Sequence, residues 1–206
     1  MKIFVTSDLH FGHRNILKLG NGRPFATIEE HDEALIENWN KVVSTGDMVF
    51  ILGDLSLRCD IAIVEANLKR LNGQKHVISG NHDKNKLLAS LLTTNVIASL
   101  RNYFEYTYTA LDGSKQRFVM MHYPILEWNG CIANPNRNQA IHVYGHIHDT
   151  ADYTNIYQQL GYKAAHIGVD TSAQFPNTSA YSPINLEDVL TYVNTIYKKE
   201  TDNENI

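Results

Sequence analysis

A short apolar run followed by a polar cluster recurs along the chain. Ile3-Phe4-Val5 precedes Asp8 and His10, and the run from Met48 to Leu52 precedes Gly53 and Asp54. His76-Val77-Ile78 precedes Gly80, Asn81, His82 and Asp83. The run from Phe118 to Met121 precedes His122, and Ile141 to Tyr144 precedes Gly145, His146 and His148. Runs this short, rich in β-branched and aromatic side chains, predict buried strands. The polar clusters then fall just past the strand ends, where open α/β sheets gather their ligands.

Helices are predicted in the gaps. Residues 27–44 carry Ala34, Leu35, Trp39, Val42 and Val43 at helical spacing, with Thr27 as N-cap and Glu30 completing a capping box. Residues 60–71, with Ile61, Val64, Leu68 and Leu71, predict a second helix, and residues 84–92 and 186–197 two more. Residues 103–111 alternate instead, placing Phe104, Tyr106 and Tyr108 on one face. With Asp112-Gly113 as a turn and a strand over 117–121, this reads as a β-hairpin. The expected class is α/β: a two-sheet sandwich flanked by helices, its second half rich in hairpins. The length suits one domain over residues 1–199, with the polar residues 200–206 as a disordered tail.

Composition narrows the partners. A formal net charge of -4 offers no basic footprint for a long nucleic-acid backbone. It leaves nucleotides open, because bound metals bring their own charge. Cys59 and Cys131 form no C-x-x-C pair and no disulfide framework, so both are expected as free thiols. The apolar start is too short for a signal peptide and no later run suits a bilayer, which makes the expectation cytoplasmic.

Taken alone, a D-x-H or G-x-H is usually structural. Five clusters in order, each ending an apolar run, form a specific signal. Carboxylate and imidazole together suit a divalent first-row metal. In a strand, residues two apart share a side, so Asp8 and His10 are expected to reach one metal together. Glycine before Asp54, Asn81 and His146 permits a sharp turn and close approach.

This series, D-x-H, G-D, G-N-H-D, H and G-H-x-H, resembles the signature of the calcineurin-like metallophosphoesterases. The resemblance extends to a small bacterial and phage-type branch through Phe11-Gly12-His13, Arg23-Pro24-Phe25, Asn38-Trp39-Asn40, Leu71-Asn72-Gly73, His122-Tyr123-Pro124, and Gly168-Val169-Asp170 with Pro183. It implies the family's helix-flanked sandwich and two divalent ions: manganese by preference, with iron, zinc or nickel as other candidates. Asp8, His10, Asp54 and His148 would hold one ion. Asp54, Asn81, His122 and His146 would hold the other, with Asp54 bridging. His82 would face the leaving group as general acid and Asp83 would orient it. The implied reaction is hydrolysis of a small phosphate ester or nucleotide-like phosphodiester, by a water activated between the ions. The alternative is a catalytically silent scaffold of the same fold that binds partner proteins. Its mark would be ligand loss, and every ligand position is filled.

Other residues carry weaker expectations. His31 is read as solvated on a polar helix face, His76 as structural, and His142 and His166 as core histidines. His13 either touches substrate phosphate or packs its own loop. Arg23 and Arg58 are candidates to grip phosphate, against the plainer reading of a surface salt bridge. The loop 126–140, with Trp128, Asn129 and Arg137, either walls the substrate pocket or merely connects. Tyr153, Tyr157 and Tyr162 are read as packing residues.

Overall fold

The apolar runs become strands in the computed structural model, which describes residues 1–198. The expected tail at 200–206 lies outside the described residues. In chain order the elements are β1 (Ile3–Thr6), α1 (Ile28–Val42), β2 (Met48–Ile51), α2 (Ile61–Lys69), β3 (Gln74–Ile78), α3 (Asn85–Thr93) and β4 (Ser99–Arg101). Then follow β5 (Phe104–Thr109), β6 (Lys115–Met120), β7 (Ile141–Tyr144), α4 (Thr154–Gln159), β8 (Lys163–His166), β9 (Ile184–Asn185) and α5 (Leu186–Lys198). Two 3-10 helices, Arg14–Lys18 and Val169–Gln174, punctuate the loops.

The strands form two sheets, in orders β4-β3-β2-β1-β9 and β5-β6-β7-β8. The first sheet is parallel apart from its short edge β9. In the second, the expected hairpin pairs Phe104 with Met120 and Thr109 with Lys115. The remaining strands depart from the hairpin-rich expectation, since β6, β7 and β8 run parallel. Residues 121–140 and helix α4 supply the long returns that parallel pairing requires.

Alternation along each strand sorts the apolar residues into layers. Phe4, Val49, Ile51 and Val77 face α1, α2 and α3 outside the first sheet. Ile3, Val5, Phe50, Leu52 and Ile78 face Phe118, Met120, Ile141 and Val143 of the second sheet, with α5 closing this core through Val189 and Val193. Outside the second sheet, Val119 and Tyr144 pack with Trp128 and Tyr157. Trp128 donates its Nε1–H to the Ala140 carbonyl at 3.1 Å, so the 126–140 loop is anchored in this outer layer. Tyr153 and Tyr162 pack against the same cluster.

Helix α1 begins as expected. Thr27 accepts the Glu30 amide at 3.1 Å, and the Glu30 carboxylate reaches back to the Ala26 amide at 2.9 Å. Its buried face corrects the reading of His31, which is fully buried rather than solvated. Ile28, His31, Asp32, Leu35, Ile36 and Trp39 follow the i, i+3, i+4, i+7 spacing of one face. His31 and Asp32 therefore sit on the apolar stripe as a buried polar pair. Cys59 and Cys131 are free. Among the described residues no helix is long and apolar enough to cross a membrane.

Candidate metal centre

The polar clusters meet at one end of the two sheets, although they come from distant parts of the chain. The meeting is stitched by backbone. The amides of Asp8 and His10 donate to the Gly53 and Asp54 carbonyls at 3.1 and 3.0 Å, and the Gly145 amide donates to the His122 carbonyl at 2.9 Å. Carboxylates add cross-braces. Asp8 accepts the His146 amide at 3.0 Å, and Asp54 accepts the His82 amide at 2.9 Å. Glycine is needed for such closeness. A Cβ on Gly80 would collide with the Asp54 carboxylate, and one on Gly145 would collide with Ser7 and Asp8.

The expected pleat does not aim Asp8 and His10. Both lie beyond β1 with left-handed backbone, φ 62° and 51°, as do Asp54 (53°), His146 (71°) and His148 (50°). Such a conformation costs a non-glycine residue about 1–2 kcal/mol. Of the nine non-glycine residues that adopt it among the described residues, five are these candidate ligands. Strain concentrated in one cluster is the pattern of a functional site.

Two compact groups of ligand atoms result, Asp8–His10–His148 and Asp8–Asp54–His122, each within 4.8 Å. Asp54 Oδ2 lies 3.7 Å from His10 Nε2 and 3.5 Å from His122 Nε2, between the two groups. Asn81 Oδ1 lies 2.8 Å from His122 Nε2 and 2.9 Å from His146 Nδ1. Hydrogen bonds on the far side fix two tautomers. His122 Nδ1–H donates to the Leu52 carbonyl at 2.7 Å, and His148 Nδ1–H donates to Asp170 at 2.8 Å. Each turns Nε2 towards the cluster, the nitrogen that a metal-binding histidine would offer there.

The residues present fit divalent cations. His10 is 1% exposed, yet neither ring nitrogen has a hydrogen-bond partner. A buried unpaired polar atom is costly and calls for an explanation, such as an ion. Burial also pushes the Asp8 carboxyl above its ordinary range, a penalty that a bound cation relieves. The His10 imidazole is driven far below its ordinary value by burial and then by the Arg23 charge, so it is neutral and able to ligate.

The remaining predicted site residues divide. His82, its side chain 36% exposed, points its Nε2 to 3.9 Å from Asp54 Oδ2. Arg58 is exposed and lines a small depression with His82, Ser56 and Lys84. His13 is half-buried, its ring 5.3 Å from that of His10. Asp83 differs from expectation. Its carboxylate accepts the amides of Asp54, Leu55 and Gly80 at 2.9–3.0 Å, and no hydrogen bond joins it to His82. It clamps two ligand loops together instead of orienting the imidazole. Arg23 departs furthest. It is 4% exposed and spends its guanidinium on Asp170, His31 and the carbonyls of Asp8 and Leu9. A group enclosed in this way does not meet substrate. The one trace of Asp170 in the sequence is the Gly168-Val169-Asp170 block, which names no role for it.

The fold and the cluster together define a metallophosphoesterase sandwich. The family model for calcineurin-like phosphoesterases matches residues 1–176, and the chain belongs to that family. It is 32% identical over 191 residues to the uncharacterized protein MJ1445 of Methanocaldococcus jannaschii, a match spanning 90% of this chain and 88% of that one. It is 38% identical over 82 residues to the Gene 66 protein of Mycobacterium phage L5, 39% of either chain. The crystal structure of AQ665, a protein of unknown function from Aquifex aeolicus, has a TM-score of 0.65 and 21% identity, covering 92% of this chain and 98% of that one. That likeness concerns the fold alone.

Proposed function

We propose that this protein is a dinuclear metal-dependent phosphoesterase acting on a small phosphate ester or nucleotide-like phosphodiester. The observation that carries the reading is His10, buried with two unpartnered nitrogens beside Asp8, Asp54 and His148. Asp8, His10, Asp54 and His148 would hold one cation, and Asp54, Asn81, His122 and His146 the other, with Asp54 between them. Bound there, two cations would supply a nucleophilic water at neutral pH and neutralise charge on the phosphoryl group. Manganese is favoured because the ligand set mixes carboxylate, amide oxygen and imidazole.

The chain's own groups serve the rest of the reaction. His82 is half-exposed at the open side of the cluster, where its imidazole is free to hand a proton to the departing oxygen. Its backbone amide is fixed by Asp54, which holds the residue in place without using up the ring. Arg58 and His13 border the same opening and would contact phosphate oxygens. Asp83 keeps the Asp54 and Asn81 loops at a constant separation.

The test is a substrate panel on metal-reconstituted protein. It pairs aryl monoesters and diesters with cyclic dinucleotides, 2′,3′-cyclic nucleotides and dinucleoside polyphosphates. Turnover of at least one class, abolished by chelation and restored by manganese, is expected. Two bound ions with no hydrolysis of any ester would overturn the reading.

A further inference from the structure

A buried polar chain runs behind the metal centre and ends on one ligand histidine. Arg23, from the loop before α1, meets Asp170, from the 3-10 helix Val169–Gln174, across 147 positions of sequence. All five guanidinium N–H groups have acceptors. Nε and Nη2 donate to the two Asp170 oxygens at 2.7 and 3.1 Å. Nη2 also donates to the Asp8 carbonyl at 2.7 Å, and Nη1 donates to the Leu9 carbonyl at 3.1 Å. The fifth contact is His31 Nε2 at 2.7 Å, which must accept because arginine only donates. His31 Nδ1–H therefore donates to Asp32 Oδ1 at 2.8 Å, and Asp32 in turn accepts the Gly12 amide and Asn67 Nδ2, each at 3.0 Å.

The geometry points to Arg23 and Asp170 as positioning residues that serve one cation site and not the other. Asp170 dictates the tautomer of His148, so that Nε2 faces Asp8. Arg23 grips two carbonyls of the loop that carries Asp8 and His10, where the backbone is left-handed and needs holding. Among the described residues, no side-chain hydrogen bond of Arg23, Asp170, His31 or Asp32 reaches Asn81, His122 or His146. The assignment rests on the two-cation reading above and deepens it. It makes the first site a cage built in advance, anchored through Asp32 and Asn67 as far as α2.

Removing an outer partner of a ligating histidine typically costs about 10–100-fold in metal affinity. Asp170→Ala is therefore expected to weaken the first of two manganese-binding steps by about that factor in calorimetry and to leave the second unchanged. Asp170→Asn, which keeps an acceptor for His148 Nδ1–H, should lose less. Arg23→Lys keeps the charge, but its three donors cannot serve five acceptors, so it should fall between wild type and Asp170→Ala. Circular dichroism establishes that each variant is folded. Histidine 15N spectra of metal-free protein give a second readout, independent of metal: His148 should carry Nδ1–H in wild type and lose that preference in Asp170→Ala. Equal weakening of both steps, wild-type affinity in Asp170→Ala, or an unchanged His148 tautomer would each overturn the assignment. Wild-type protein that binds no manganese would defeat the two-cation reading instead, and the tautomer measurement would still decide the role of Asp170.

Discussion

The two flanks of the metal centre are built in opposite ways. On one flank Asp8, His10, His148 and Arg23 are buried, Asp170 is half-buried with its side chain 8% exposed, and behind them lies a continuous hydrogen-bonded chain. On the other flank Asn81 is exposed, His146 is half-buried, and both border the open side with His82 and Tyr123. There His122 alone is buried and held from behind, by the Leu52 carbonyl, while Asn81 Oδ1 sits between His122 and His146. Rigidity and access are thus divided between the flanks. In the proposed reaction the buried flank would fix ion geometry before anything binds, and the open flank would admit the ester and release the leaving group.

Asp54 joins the flanks, and its loss should have the largest effect. Asp54→Asn halves the charge offered at the centre and presents an amide N–H to one neighbour. Both ions should be weakened and turnover should fall by more than about a hundredfold, measured as metal content and kcat on the same sample. Retention of two ions and near-normal turnover would dissolve the division, since no shared ligand would then be needed.

His82 probes the open flank alone. General acid catalysis contributes about 10²–10⁴-fold, and less when the leaving group is stable as an anion. His82→Ala should therefore lower kcat heavily on nucleotide or alkyl esters and much less on p-nitrophenyl esters, with metal content unchanged. Equal losses on both leaving groups remove it from the acid role. Asp83→Asn should act on structure, because the new amide presents a donor to one of three backbone N–H groups. A loss of about 1–3 kcal/mol in denaturant unfolding is expected. A stability equal to wild type would contradict the clamp.

Away from both flanks, burial holds the His142 imidazole down to about 4, from an ordinary 6.5. A depressed value means that stability is present above pH 6.5 and is lost as pH falls towards 4. His142→Gln should flatten part of that acid limb in metal-free protein. An unchanged slope would show that His142 is protonated as readily in the fold as out of it. The smallest effect belongs to Cys59 and Cys131. Replacing both by serine should leave turnover near wild type, and a marked loss would give one thiol a function.

Much of this was legible in the sequence, for physical reasons that differ by element. Strands such as Phe118 to Met120 announce themselves because a buried strand needs an unbroken apolar run. β8 and β9 do not, since one is built around Ala164-Ala165 and the other is two residues long. Helix α4 is short and polar, with Tyr157 alone buried. The ligand clusters were visible as spacing, but their left-handed backbone was not, because aspartate and histidine give no glycine-like signal. His31 reads as solvated because it is a polar residue, yet it lies on the apolar stripe of α1. Arg23 reads from sequence as a phosphate grip or a surface salt bridge, because nothing in its neighbourhood of sequence names Asp170 as its buried partner. Contacts of this kind exist only after folding.

The proposed reaction needs two cations at two unequal sites. The direct measurement is anomalous diffraction from crystals soaked with limiting and then excess manganese. A first peak is expected within ligand distance of Asp8, His10, Asp54 and His148, and a second peak at Asn81, His122, His146 and Asp54 that fills later. A single peak at any concentration, or peaks that avoid His10, would contradict it.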